Sequence, residues 1–226
     1  MKQKTIGILI TKKNYSESSL ILSFYTRENG LISFIFKGAK KKKIPIFYLG
    51  IYEITYFKRP ESNLGIIQSI YPAVILTDIF TNPQKLILSF FMVDILKETL
   101  KVEHPEPEIF ETIKSQILRL ETQDNLIYFP INFLTSLIHL LGFSPICDDE
   151  NPKGFDLKSG RFTREQSDID IATVQLLFDS FNHLPLNSDI NTAQKSLIVL
   201  LDYCKSHLPN FNVEKSLKVI RDTLYI

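Results

Sequence analysis

Residues 20–36 have the sequence LILSFYTRENGLISFIF. Two short runs rich in Ile, Leu and Phe, Leu20 to Thr26 and Leu31 to Phe36, stand on either side of a polar turn. Their length and composition are typical of β-strands. Asn29-Gly30 in the turn is a strong hairpin signal, because glycine accepts the positive φ that tight turns require. The stretch therefore predicts an antiparallel β-hairpin.

Three further runs around this hairpin have the same character: Ile6 to Ile10, Ile51 to Phe57 and Leu64 to Tyr71. Five short strands within about 70 residues leave no room for crossover helices. Residues 1–80 are therefore predicted to form a small antiparallel barrel of the OB or SH3-like kind.

From Asn82 onward the apolar spacing changes from two to about 3.6, which is typical of amphipathic helices. Asn82 is expected to cap the first helix, with Pro83 at its first position. Thr163 with Gln166 fits a capping box. A loop excursion at 144–161, rich in Pro, Asp and Gly, interrupts the pattern. The chain is thus α+β, with a helical domain at 81–226 whose later helices are predicted over Glu106 to Leu120, Ile131 to Leu141, Asp170 to Phe181, Thr192 to His207 and Val213 to Leu224.

Charge is distributed unevenly along the chain, although the net charge is only +1. Residues 1–80 hold 12 Lys and Arg against 5 Asp and Glu, and the remainder holds 14 against 20. A basic head on an acidic body indicates a polyanion-binding module. No apolar run approaches the roughly 20 residues of a membrane span, and no export signal is visible. With only two cysteines and no CxxC pair, we expect a soluble, cytoplasmic protein.

The densest chemical feature is a lysine run after the third predicted strand, formed by Lys37, Lys40, Lys41, Lys42 and Lys43. Lysine ammonium groups neutralise phosphates and release condensed counterions, which supplies most sequence-independent affinity for nucleic acid. The alternative is a solvated, self-repelling loop.

Four aromatic residues near the run are candidates for stacking on unpaired bases. Phe34 and Phe36 share one face of a strand, so we expect them in the barrel core. For Tyr48 and Tyr52 the sequence leaves core packing and base stacking equally open.

Four segments resemble the bacterial DNA repair protein family RecO in order and spacing: Tyr15 to Leu20, Tyr25 to Ser33, Lys37 to Lys40 and Leu137 to Pro145. The resemblance implies an N-terminal OB fold followed by a helical domain. It also implies a recombination mediator that binds single- and double-stranded DNA and anneals complementary strands. Such a mediator helps to load recombinase onto DNA coated by single-strand-binding protein, together with the partner RecR.

Carried over by position, Lys37 and Lys40 match the family's basic loop motif, and Lys41 to Lys43 extend it. Arg27 lies in the matching Thr-Arg-Glu-x-Gly turn, where a merely solvated turn residue is the alternative. These six residues are the predicted DNA-binding set.

The chain departs from many RecO-like proteins in the 144–161 excursion, where those proteins carry four zinc-binding cysteines. Only Cys147 lies in that excursion, and one thiol cannot build a tetrahedral zinc site. Cys204 is expected in a helix core. We therefore predict no metal and no cofactor.

Three alternative functions remain at this point, one of which is a purely structural adaptor whose acidic helical body does the binding. An RNA-binding barrel fits the same basic and aromatic features. A magnesium-dependent nuclease would use Asp148 and Asp149, although adjacent residues in a polar loop more often form an acidic surface. The sequence contains no P-loop, GxSxG or GxGxxG motif, and we predict that the protein is not an enzyme.

Overall fold

The computed structural model describes residues 2–42, 44–59, 62, 64–100, 105–147 and 150–225. By its internal contacts the chain divides into two compact units, Met1–Thr122 and Gln123–Ile226. The predicted domains, 1–80 and 81–226, follow instead the change from strands to helices. Those limits stay a prediction.

All five predicted strands form, and two of them have the predicted limits. The strands are β1 (Lys2–Asn14), β2 (Leu20–Thr26), β3 (Gly30–Phe36), β4 (Ile51–Phe57) and β5 (Leu64–Pro72). They close into a barrel in the order β1-β2-β3-β5-β4. Among the described barrel strands, β3 and β5 pair in parallel and the other pairs are antiparallel, so the barrel is not wholly antiparallel as predicted. This topology confirms the predicted OB-fold barrel and the α+β class.

Strand β1 closes the barrel by pairing with two neighbours. Its first half pairs with β4, from Lys2 opposite Phe57 to Ile8 opposite Ile51. Its second half pairs with β2, and the register shifts between Leu9 and Thr11. Such a bulge bends a strand, and here the bend carries β1 from one partner to the other.

The barrel core is built from alternating side chains of each strand. Along β3 every second residue is buried, which places Phe34 and Phe36 inside at 0% exposure. The Phe34 ring meets Phe24 and Tyr56 edge-on, with centroids 5.9 and 4.8 Å apart. Edge-to-face aromatic pairs add stability beyond their buried area.

The first compact unit also contains helices α1 (Ala39–Lys42), α2 (Asp78–Thr81), α3 (Pro83–Thr99) and α4 (Pro107–Thr122). The predicted cap of α3 is confirmed, since the Asn82 side chain accepts hydrogen bonds from the Gln84 and Lys85 backbone N–H groups. Helix α3 is buried on several sides and contacts α2, α4 and β1.

The second compact unit is mostly helical. It contains α5 (Phe129–Leu140), a hairpin of β6 (Gly154–Asp156) and β7 (Arg161–Thr163), then α6 (Ile171–Phe181), α7 (Ile190–His207) and α8 (Glu214–Leu224). The capping box predicted at Thr163 is wrong. Thr163 ends β7, and α6 is capped by Asp170, whose carboxylate accepts from the Thr173 backbone N–H.

Aromatic packing holds the hairpin of the excursion. Phe155 of β6 stacks on Phe162 of β7, and Phe155 also lies 5.4 Å from the Tyr203 ring of α7. The Tyr203 hydroxyl donates to the Phe143 carbonyl at 2.5 Å. Next to it, Cys204 is buried in α7 as predicted, and its burial raises the thiol pKa to about 12.

The described residues contain neither a candidate metal-binding group nor a candidate membrane-spanning helix. Within them, no group of three or more His, Cys, Asp or Glu side chains is placed to hold a metal ion. Over the same part of the chain, no helix has both the length and the apolar character needed to cross a membrane. Asp148 and Asp149, the candidate nuclease carboxylates, lie outside the described residues.

Candidate nucleic-acid interface

Lysines from β1, from the turn after β3 and from α1 meet at one end of the barrel. Strand β1 ends there, β3 ends there, and α1 follows directly. Strand pairing brings these ends together, because both Asn14 of β1 and Phe36 of β3 lie opposite Leu20, the first residue of β2. We call this end the basic rim; its lysines, all exposed, are Lys12, Lys13, Lys37, Lys40, Lys41 and Lys42.

Backbone contacts fix the orientation of α1 on the rim. The Lys40 backbone N–H donates to the Ser18 carbonyl in the β1–β2 loop at 3.2 Å. The Lys40 Nζ atom donates to the Ser16 carbonyl of the same loop at 3.3 Å. The Gly38 carbonyl accepts from the Lys41 and Lys42 backbone N–H groups. The part of the lysine run from Lys40 to Lys42 is therefore a formed turn of helix docked on a neighbouring loop.

Two further rim ammonium groups have defined surroundings. Lys42 Nζ lies 5.1 Å from the centroid of the Phe36 ring, a cation–π distance. Lys12 Nζ donates to the Ile46 carbonyl at 3.2 Å. Neither contact neutralises the charge. Glu17 in the β1–β2 loop contributes one negative charge against the six lysines, so positive charge dominates the rim.

Hydroxyl groups form a row across the barrel next to the rim. Thr11 of β1 donates to the Ser23 hydroxyl of β2 at 2.8 Å, and Ser23 lies 2.9 Å from the Ser33 hydroxyl of β3. All three residues are half-buried. Neutral hydroxyls of this kind are common partners of phosphate and sugar oxygens in protein–DNA contacts.

Arg27 is not part of the rim. It lies in the β2–β3 turn, beyond Thr26 and Gly30, at the other end of a hairpin whose rim end is Leu20 and Phe36. Its guanidinium forms an ion pair with Glu111 of α4 at 3.2 Å. A DNA contact by Arg27 stays a prediction, separate from the rim. Lys43, also predicted, lies outside the described residues.

The structure separates the aromatic candidates. Phe34 and Phe36 are core residues, as expected, and Tyr52 is also buried, at 2% exposure. Tyr48 is half-buried against Phe90. Exposed aromatic residues near the rim include Tyr15 of the β1–β2 loop, at 58% exposure, and Phe47, at 45%. The strand and charge patterns did not single out Phe47.

Lys12 and Lys13 were also missed, although they directly follow the apolar run of β1. Their position in the sequence was visible as a strand end. Their proximity to the Lys37–Lys42 segment depends on barrel register, which the sequence does not contain as a local pattern.

A groove of about 590 Å³ lies along the first half of β1. Its lining includes Lys2, Lys4, Glu28 and Glu53. Because both signs of charge are present, this groove suits a polyanion less well than the basic rim does.

The chain has a closed five-stranded OB barrel with lysines at one end, and helices follow the barrel. These features are those of OB-fold proteins with a helical C-terminal part. Residues 1–73, which span the barrel, match the protein family described as "Recombination protein O N terminal".

Full-length similarity extends this match beyond the barrel. A DNA repair protein RecO from Phocaeicola vulgatus is 28% identical over 242 residues, covering 98% of this chain and 99% of its own length. RecO proteins from Flavobacterium johnsoniae and Christiangramia forsetii are 26% and 25% identical and cover 98% and 96% of this chain, and 99% and 97% of their own lengths. The predicted resemblance is confirmed. The chain is similar to RecO proteins over its full length and its barrel matches their N-terminal domain, which supports a role in DNA repair and recombination.

Proposed function

We propose that this protein is a DNA-binding recombination mediator without covalent chemistry of its own. It binds the backbones of single- and double-stranded DNA on the basic rim and anneals complementary strands. The observation that carries the proposal is the convergence of six lysines from β1, the β3–α1 turn and α1 at one end of the barrel.

Annealing follows from charge screening. Two single strands repel each other through their phosphates, and lysines that contact both backbones reduce this repulsion. Ammonium groups that bind phosphates leave the base edges free to pair. The hydroxyl row from Thr11 to Ser33 offers further neutral contacts to sugar and phosphate oxygens.

The remaining part of the proposal concerns partners. By family resemblance, the protein acts with RecR and single-strand-binding protein to assist recombinase loading. We assign no residues of this chain to those contacts.

The annealing rate of complementary oligonucleotides tests the proposal. Replacing Lys40, Lys41 and Lys42 with Ala should reduce the rate. The matched control replaces Lys2, Lys4 and Lys58, which removes the same charge away from the rim. An equal loss of annealing in both variants would indicate a general effect of net charge and would count against the rim.

The RNA-binding alternative is tested by competition between DNA and RNA oligonucleotides of matched sequence. Preference for RNA would replace the DNA assignment. For the nuclease alternative, magnesium-dependent cleavage that is abolished by Asp148→Asn would contradict a non-enzymatic protein.

A further inference from the structure

An aromatic ledge lies directly beside the basic rim, on the loop between α1 and β4. Phe47 in this loop is 45% exposed although it is a large apolar side chain. Its ring stacks on Phe80 of α2, with centroids 4.3 Å apart and planes 28° apart. A stacked pair with one exposed ring presents aromatic surface to solvent.

A cavity of about 200 Å³ adjoins this pair. Its walls are mostly apolar and are formed in part by Pro45, Phe47, Pro72, Ile75, Leu76 and Phe80. Ile75 at its edge is 85% exposed. Two prolines and two aromatic rings give the cavity flat walls, which suit a planar ring better than a branched aliphatic group.

The loop that carries Phe47 is held in place by hydrogen bonds. The Phe47 backbone N–H donates to the Tyr52 hydroxyl at 2.9 Å, and Tyr52 is buried. Burial raises the Tyr52 pKa and the Phe47 hydrogen bond opposes that rise, so the hydroxyl stays protonated near neutral pH. On the other side of the loop, the Leu49 N–H donates to the Leu9 carbonyl at 2.9 Å, and the Leu9 N–H donates to the Gly50 carbonyl at 3.0 Å.

Gly50 is required for this arrangement. A Cβ atom there would lie 2.5 Å from the Tyr52 ring, closer than real contacts allow. The loop therefore approaches Tyr52 without a side chain between them. Because the ledge is ordered before a ligand arrives, a ligand would lose less ordering entropy on binding.

Positive charge flanks the ledge on two sides. Lys12 Nζ binds the Ile46 carbonyl, one residue before Phe47. Lys97 Nζ lies 5.6 Å from the Tyr48 ring centroid, one residue after Phe47. Lys97 also pairs with Asp94, so Lys12 and the nearby α1 lysines provide most of the field. An exposed aromatic ring between cations fits a ligand with a flat ring and a phosphate.

We infer that the Phe47–Phe80 ledge and its cavity bind an unpaired nucleobase of a DNA strand whose phosphates lie on the basic rim. This inference rests on the proposed function, because the rim supplies the backbone contacts. It adds a preference for unpaired over paired DNA, since a base within a duplex cannot reach the cavity without leaving the stack. The site uses the α1–β4 loop and α2, away from the hydroxyl row of β1, β2 and β3.

The test compares a single-stranded oligonucleotide with an abasic strand of the same length and phosphate number, using the full-length protein. Base stacking on an aromatic side chain contributes about 1–3 kcal/mol. We therefore expect wild type to bind the base-bearing strand at least about fivefold more tightly. Phe47→Leu should remove most of this preference and leave affinity for the abasic strand unchanged.

Three variants serve as controls. Phe47→Tyr should retain the preference, because it keeps the ring. Phe57→Leu should also retain it, since Phe57 is an exposed phenylalanine of β4 opposite Lys2, away from the rim. Ile75→Ser should weaken the preference without affecting folding, because Ile75 is almost fully exposed. If Phe47→Leu is unstable, the Ile75→Ser variant tests the inference in its place.

Failure of the proposed function and failure of the ledge give different binding results. If wild type binds neither strand, the proposed function fails and this inference fails with it. If wild type binds both strands equally, or if Phe47→Leu keeps the preference, the rim stands and the ledge is overturned. An acidic peptide with an aromatic residue that binds wild type and not Phe47→Leu, without any base preference, would assign the ledge to a protein partner and overturn the inference.

Discussion

Replacing Glu121 with Gln should destabilise the first compact unit. The Glu121 carboxylate, near the end of α4, accepts hydrogen bonds from the backbone N–H groups of Thr77, Asp78 and Ile79 at 2.7, 2.9 and 3.0 Å. Glutamine keeps one acceptor oxygen and turns an NH₂ group toward the remaining N–H. Hydrogen bonds to charged groups contribute about 1.5–3 kcal/mol, and water replaces part of this at exposed sites. We expect a loss of about 1–2 kcal/mol in the free energy of unfolding.

The pH dependence gives a second signature of the same contact. Desolvation raises the Glu121 pKa, but the three N–H donors outweigh it, so the pKa is lower than its ordinary value of 4.5. A carboxylate with a lowered folded pKa stabilises the protein above its unfolded pKa. This contribution is lost as pH falls through the lowered value. The difference between wild type and Glu121→Gln should therefore be constant near neutral pH and shrink below about pH 4.5.

Urea unfolding followed by circular dichroism measures both quantities. Asp124→Asn is the matched control, because Asp124 is an exposed carboxylate three residues further along the chain. Equal stability of wild type and Glu121→Gln near neutral pH, or a difference that persists unchanged in acid, would refute this reasoning.

Three further predictions concern packing and reactivity. Lys85→Met should lower the unfolding free energy by about 2 kcal/mol in urea titration, because the buried ammonium donates to Asp78 and to the Glu121 carbonyl. Gly160→Ala should lower the melting temperature more than Gly38→Ala does. Both glycines have positive φ, but a Cβ at Gly160 would lie 2.8 Å from the Tyr203 hydroxyl, whereas a Cβ at Gly38 would meet no atom within 4 Å. Equal shifts in melting temperature would contradict this contact. Iodoacetamide should label exposed Cys147 in the native protein and spare buried Cys204, whose thiol pKa is raised to about 12, so mass spectrometry should detect one adduct before unfolding and two after it.

Much of the barrel was predictable because its signals are local. Short runs rich in Ile, Leu, Phe and Tyr, with turn residues on either side, placed the limits of β2 and β4 correctly. Strand β1 is longer than predicted, because its polar ends, Lys2 to Thr5 and Thr11 to Asn14, pair through backbone groups whatever their side chains. The capping box at Thr163 failed because pairing of β7 with β6 used that residue, and Asp170 provides the cap instead.

The candidate site was predictable only in part, for a related reason. The run of lysines from 37 to 43 is dense enough to be recognised in the sequence alone. Lys12 joins it through strand register, and Phe47 becomes an exposed ring only because Tyr52 and Phe80 position its loop. These are contacts between residues distant in sequence, which no local pattern contains.

The central claim is that the lysines of the basic rim bind nucleic-acid phosphates. The most direct test is the salt dependence of affinity for single-stranded DNA. If about four phosphates are contacted, log affinity should fall with log salt at a slope near −3, from about 0.7 per phosphate. Replacing Lys40, Lys41 and Lys42 with Ala should reduce the slope to about −1, whereas the Lys2, Lys4 and Lys58 variant should stay near −3. An unchanged slope in the rim variant would contradict the account.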